Sequence, residues 1–266
     1  MTYIKVDPCS TRLGNWMFQY AAAKKASKEP CTFVIDGNQD IEAVRRYRRL
    51  WPEVEYARSA PEGAELRLGL FQDQRFVDRD ESRRLFAAPA QMPESATVSI
   101  HVRRGDYLRQ PHRHPFVGKR YLTEAVARFP GEAFSVFSDD LKWCRKFFTA
   151  RRFPGVRFEF MEGNSALDDL FLMGKCTRGH ICSNSSFSWW GAYLGKDAPV
   201  IFPSHWFGLA IKADWTGLYF EGSEVIANRY TPLEYFRSLG CLIKNLLGRY
   251  CRLIKKRIAP DLRILV

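Results

Sequence analysis

The chain has 266 residues, 46% of them hydrophobic, and a formal charge of +12. That much apolar material builds one large α/β domain or two modest ones and excludes a disordered or fibrous chain. No window approaches the roughly 18 uncharged apolar residues of a membrane span, and the first residues lack a cationic start followed by an apolar run, so neither an anchor nor an export signal is expected.

The opening reads as a βαβ-like unit: a strand over Tyr3 to Val6, a helix from about Leu13 to Lys28, and a second strand, CTFVID, ending at Gly37. The helix opens on RLGNWMFQYAAAKKA. There Gly14 allows a tight turn and close backbone approach, and Asn15 presents an amide near a helix N-terminus. From about Asp40 to Ala90 the Arg- and Glu-rich sequence has a helical texture and reads as short helices. Pro89 and Pro93 bracket a composition break. A boundary near residue 95 follows, giving one lobe over 1–95, a second over 96–230 and a tail over 231–266.

Beyond that break, TVSIHVRR, AFSVFSDD, VRFEF, GHICSNS and APVIFP read as strands alternating with helices RYLTEAVARF, LKWCRKFFTA, SALDDLFLMGKC and SFSWWGAYLG. Continuous apolar strands separated by helices of about ten residues indicate a parallel sheet covered on both faces. Such sheets bind ligands beyond the carboxyl ends of their strands. Three polar clusters fall there, at His101 to Asp106, Ser138 to Asp140 and Ser183 to Ser188, and are expected to meet in one crevice.

In HVRRGDY, strand alternation puts His101 and Arg103 on one face, Arg104 begins the turn at Gly105, and Asp106 can hold one guanidinium while the other meets a phosphate. An internal Arg–Asp bridge is the plainer alternative. In FSDD, Asp139 and Asp140 could bind Mg²⁺, accept from a base or ribose, or cap the next helix. In SNSSFSWWGAYLG, Ser183, Ser185 and Ser186 with the N–H groups of a helix start suit an anion, and Trp189 and Trp190 pack the helix on the sheet.

The seven cysteines form an odd set without CxxC spacing, and His112 and His114 lie away from them, which fits free thiols in a reducing cytosol rather than a zinc site. From Glu234 to Val266, eight Lys/Arg stand against two acids. Apolar residues recur three and four apart from Tyr235 to Ile258, an amphipathic basic helix ended at Pro260. It could lie on an anionic membrane, pack against a lobe or pair in a dimer. A nucleic-acid-binding chain would interleave basic and aromatic residues on one exposed face, whereas most aromatics here sit in apolar strands and helices, so nucleic acid is not expected as a partner.

Taken together, RLGNWMFQYAAA, HVRRGDY and SNSSFSWWGAYL, in that order over roughly residues 3 to 205, resemble the α-1,2-fucosyltransferases of glycosyltransferase family 11. The first motif departs from the family's GNQMFQYA in having Trp16 at the glutamine position, and CSTR replaces a glycine-rich lead-in. The resemblance implies a GT-B-like α/β fold of two Rossmann-like lobes facing a cleft, with GDP-fucose as donor, no metal or other cofactor, and inversion at the anomeric carbon. The implied acceptor is a glycan hydroxyl, the 2-OH of galactose being expected. It also implies that Arg103 neutralises the leaving phosphate, that Arg104 and Asp106 support its loop, and that His101 contacts the donor. By the same likeness Asp139 and Asp140 hold guanine or ribose, Ser185, Ser186 and Phe187 line the pyrophosphate side, and Asn15 reaches in from the opposite lobe. For the acceptor proton, Asp7, Asp36, His101 and Asp106 are candidates, and late loss to phosphate or water is the alternative. A cytoplasmic enzyme, peripheral on the inner membrane face if the tail binds lipid, is the expectation.

Overall fold

A computed structural model describes residues 1–8 and 12–258. The lead-in Cys9 to Thr11 and the expected helix stop at Pro260 lie outside the described residues. The order is β1 (Thr2–Lys5), α1 (Leu13–Ala26), β2 (Cys31–Val34), α2 (Ile41–Arg45), β3 (Glu55–Ala57), β4 (Leu66–Arg67) and α3 (Arg79–Leu85). It continues with β5 (Val98–Val102), α4 (Lys119–Ala127), β6 (Phe134–Ser138), α5 (Leu141–Phe147), β7 (Phe158–Phe160), α6 (Ala166–Gly174) and β8 (Gly179–Ile181). Last come α7 (Ser186–Leu194), β9 (Val200–Pro203), β10 (Glu224–Ile226) and α8 (Pro232–Ile258).

Two parallel sheets result, β3-β2-β1-β4 and β10-β9-β8-β5-β6-β7. This is the two-sheet α/β plan that the resemblance implies. All five residues of β5 are buried, as the central strand of a sheet covered on both faces must be. Its register, Val98 opposite Phe134 through Val102 opposite Ser138, aligns the ends of β5 and β6. The Ser138 hydroxyl clips those ends together by donating to the Val102 carbonyl at 2.7 Å.

In each sheet the chain winds outward on one side and then crosses to the other. From β5 it runs to β6 and β7, then returns to β8 and on to β9 and β10; from β1 it runs to β2 and β3, then returns to β4. The points of reversal lie between β5 and β8 and between β1 and β4. At such points the loops leaving adjacent strands diverge and open a crevice.

The segment 40–90 holds α2 and α3 as short helices, but also β3 and β4, which complete the first sheet and were not expected. Nor was β10. One buried cluster joins elements of both sheets: Met17 and Phe18 of α1, Phe33 of β2, Trp51, Phe86, Leu170 of α6, Trp189 and Trp190 of α7 and Phe202 of β9. Trp16 belongs to it, 3% exposed with its ring 6.0 Å from that of Tyr47. The substituted position of the first motif therefore serves packing. A second cluster, including Val98, Ile100, Tyr121, Phe134 and Phe147, lies under α4 and α5.

Candidate active site

The loop leaving β5 carries Arg103 and Arg104, and the two are held differently. Arg103 forms ion pairs with Asp106 at 2.8 Å and Asp139 at 2.9 Å, and its guanidinium lies 5.7 Å from the Tyr107 ring centre. A guanidinium carries five N–H donors, so two pairs orient it without exhausting it. Arg104 is turned inward: its guanidinium lies 3.9 Å from the Trp143 ring centre, and Nε donates to Asp140 at 3.1 Å. Its backbone N–H donates to Asp139 at 2.8 Å. Arg104 thus pins the loop, and Arg103 is the more exposed of the two, at 28% against 11%.

Gly105 is needed for space rather than for a left-handed φ, since a β-carbon there would stand 2.6 Å from an Asp139 carboxylate oxygen. Both FSDD acids are arginine partners, and Asp140 is also a helix cap. Asp140 Oδ1 accepts from Trp143 N at 3.1 Å, the N-cap bond of α5, while its other oxygen takes Arg104. Each carboxylate oxygen has a second acceptor direction, so neither acid is closed to a ligand donor.

Across the reversal, the loop after β8 is sealed from below. Ser183 Oγ donates to the His101 carbonyl at 2.7 Å and accepts from Arg103 N at 3.0 Å, fastening this loop to the end of β5. Asn184 donates to Trp206 O at 2.9 Å, and Tyr107 donates to the Asn184 carbonyl at 3.0 Å. Ser185 caps α7 by accepting from Phe187 N at 3.3 Å. Trp190 donates to Gly14 O at 2.9 Å and Trp189 to Leu218 O at 2.7 Å, so both indoles fix α7 while packing.

The N-terminus of α7 faces that of α1. Ser186 Oγ donates to Asn15 Oδ1 at 2.9 Å, and Gln72, on the loop leaving β4, donates to the same oxygen. Two positive helix ends thus meet with no acidic side chain in the first turn of either. Gln72 is the site residue that the sequence reading missed, and the one local signal is structural: Phe71 beside it holds φ at 49°, unusual for a bulky side chain.

His101 is buried at 5% exposure, its ring centre 5.5 Å from that of Phe187, and its Nδ1 has no hydrogen-bond partner. Burial, with Arg103 adding to it, lowers its pKa to about 3. A neutral imidazole that weakly basic is a poor acceptor for a hydroxyl proton. Of the other base candidates, Asp36 pairs with Lys5 and Asp106 with Arg103. Among the described residues no group of three His, Cys, Asp or Glu side chains is placed to hold a metal ion.

Beside this centre a row of rings runs outward. Tyr107 stacks on His114 with centres 5.0 Å apart, and Phe207 follows at 6.3 Å. Phe207 lines an open hollow of about 440 Å³ with Trp215, His205, Lys212 and Asp214.

The segment from α3 to the loop after β9, residues 81–208, matches Glycosyl transferase family 11 and contains Arg103, Arg104, Asp106, Asp139, Asp140 and Ser183 to Phe187. Over this segment the chain is similar to glycosyl transferase family 11. Among curated relatives, it is 34% identical over 161 residues to an alpha-1,2-colitosyltransferase of Escherichia coli, covering 53% of this chain and 55% of that protein. It is 35% identical to the O-antigen biosynthesis glycosyltransferase WbnK of Escherichia coli (42% and 39% covered) and 37% identical to galactoside 2-alpha-L-fucosyltransferase Sec1 of Mus musculus (38% and 29% covered). The chain thus spans about half the length, or less, of these relatives. Among solved structures, POFUT1 in complex with GDP aligns with a TM-score of 0.42 at 14% identity, covering 76% of this chain and 98% of that one.

Proposed function

We propose that this chain transfers L-fucose from GDP-β-L-fucose to a glycan hydroxyl, the 2-OH of a terminal galactose, with inversion and without a metal ion. The observation that carries this reading is that the loop bearing Arg103 is fastened to the loop leading into α7, whose N-terminus in turn meets that of α1. As the fucose C–O bond breaks, charge builds on the departing diphosphate, and fixed donors act more strongly on that state than on the bound donor. This is the electrostatic work a divalent ion does in other transferases, here assigned to a guanidinium and helix-end amides. In this reading Asn15 and Ser186, joined by their hydrogen bond, contact the β-phosphate and sugar, with Phe187 beside them. In the same reading Asp139 and Asp140 hold the nucleoside, their spare acceptor directions suiting guanine N–H or ribose hydroxyls. With His101 neutral and weakly basic, the acceptor hydroxyl loses its proton late, to phosphate or water.

The relatives named for α-1,2 transfer and for galactoside support this linkage and acceptor. The 34% identity to a colitosyltransferase supports a second reading in which colitose is the sugar moved. The test is a thermal-shift panel with GDP, UDP and CMP, with and without EDTA, followed by transfer from nucleotide-linked fucose or colitose to a galactose-terminated oligosaccharide. Stabilisation by GDP alone, unchanged by EDTA, with fucose transferred, is expected. Preference for UDP or CMP, or loss of turnover in EDTA, overturns the donor or the metal-free chemistry.

A further inference from the structure

α8 runs for 27 residues, and between Leu233 and Tyr250 its apolar side faces away from the protein. Phe236, Leu246, Leu247 and Tyr250 are 67%, 54%, 59% and 63% exposed, while Ser238 is 8% exposed. A helix packed on its own domain does the reverse. Its start is well formed: Thr231 N donates to Glu234 at 2.8 Å and Glu234 N to Thr231 Oγ1 at 3.3 Å, a reciprocal capping box. Glu234 is the single acid between Pro232 and Ile258, against seven Lys/Arg.

The width of the apolar face selects its occupant. Positions 235, 236, 239, 242, 243, 246, 247 and 250 occupy an arc of about 140° at 3.6 residues per turn. A two-stranded coiled coil would use 236, 239, 243, 246 and 250 as its seam, and it would place charges at 235, 242 and 247, which flank that seam. Here those positions are Tyr, Leu and Leu, and of the remaining flanks 240 is Gly, leaving Arg249 as the single charge. Arg237 and Lys244, both exposed, follow on the neighbouring strip, where long cationic side chains can reach headgroups while the apolar arc faces the acyl chains. No helix among the described residues is long and apolar enough to cross a membrane, so the geometry is that of a helix lying on a surface.

We propose that α8 docks this protein on an anionic lipid bilayer, with Phe236, Leu239, Ile243, Leu246, Leu247 and Tyr250 inserted at the headgroup boundary. The proposal does not depend on which sugar is transferred. It is tested by co-sedimentation of the full chain with vesicles of phosphatidylcholine alone or of three parts phosphatidylcholine to one part phosphatidylglycerol. Light scattering without lipid gives the mass, and a circular dichroism melt checks the fold. The wild type is expected as a monomer that binds anionic vesicles at least about tenfold better than neutral ones. Leu246→Glu with Leu247→Glu abolishes this binding. Arg237→Glu with Lys244→Glu, which spares the apolar face, weakens it several-fold and serves if the first variant misfolds. Equal binding to both vesicles, binding unchanged in the charge-reversal variant, or a dimer that L246E/L247E converts to monomer overturns the proposal, the last assigning the face to a second copy.

Discussion

Ser186 Oγ and Asn15 Oδ1 are joined by a 2.9 Å hydrogen bond between helices 171 residues apart in sequence. Each residue lies just after a strand that borders its sheet's reversal point, so one bond registers the two crevices against each other. Gln72 donates to the same oxygen from the β4 loop, giving the Asn15 amide a single orientation. The approach that permits this is a backbone matter, decided one residue earlier.

Gly14 has no room for a β-carbon: it would stand 2.7 Å from the carbonyl carbon of Ser186 and 2.9 Å from Phe187 N. Those are backbone atoms of α7, which cannot swing aside as a side-chain tip can. Gly14→Ala is expected to cost about 1–3 kcal/mol in denaturant unfolding, the scale of overpacking a close contact. By moving Asn15 away from Ser186, it should also lower transfer at least about tenfold. Unaltered stability together with unaltered transfer would mean that the two helix ends do not need this approach.

The two arginines separate by readout. Arg103→Ala removes the guanidinium assigned to the leaving group and is expected to lower kcat by at least about 10²-fold while the protein remains folded. Arg104→Ala instead strips Asp140 and the Trp143 face of their partner. Arg104 is the more buried guanidinium and packs on the Trp143 ring, and losing such packing costs about 1–3 kcal/mol, so the Arg104 variant should lose more melting temperature than the Arg103 variant. Rates and melts of both variants decide it, and near-normal turnover in Arg103→Ala would place the leaving-group charge on other donors.

What could be read from the chain follows from which signals are local. From Val98 to Pro203 each strand is a short apolar run and each helix about nine residues long, so the alternation, the parallel sheet and the meeting of the loops at Arg103, Asp139 and Ser186 could all be inferred. β4 could not, because two residues, Leu66 and Arg67, carry no periodicity. Gln72 was equally hidden, since its partner is 57 positions away. The FSDD reading left capping and ligand contact open because the residues suit both, and Asp140 indeed caps α5 while also holding Arg104. The tail's period gave the helix; that its apolar face turns outward is a tertiary fact that no period encodes.

The hollow beyond the Tyr107, His114 and Phe207 rings has the aromatic wall and polar rim that suit a pyranose. If the acceptor sugar stacks there on Trp215, Trp215→Ala should raise the acceptor KM about tenfold, the scale of losing one stacking contact of 1–2 kcal/mol, and leave donor KM unchanged. Initial-rate measurements with each substrate varied in turn give both constants. A rise confined to the donor KM would put the acceptor elsewhere.

Two buried histidines make stability depend on acid. His101 is lowered to about 3 and His180 to about 4 from an ordinary 6.5, burial being the main cause in each case, with Arg103 and Arg79 adding to it. His180 is fully enclosed, Nδ1 within 2.8 Å of Ser99 Oγ and Nε2 without a partner, so the protonated ring has nowhere to place its charge. Because each folded value lies below the unfolded one, the unfolded chain binds more protons between them. Stability is therefore fully present above about pH 6.5 and falls as the pH drops toward 4. At pH 5 the loss is about 2 kcal/mol for each histidine. Together they should lower the melting temperature by roughly 10 °C relative to pH 7. His180→Gln retains an amide that can bond Ser99 but cannot titrate, so it should be less stable at pH 7 yet lose about half as much between pH 7 and 5. Melts of both proteins across that range measure the difference, and parallel curves would assign the acid sensitivity to other groups.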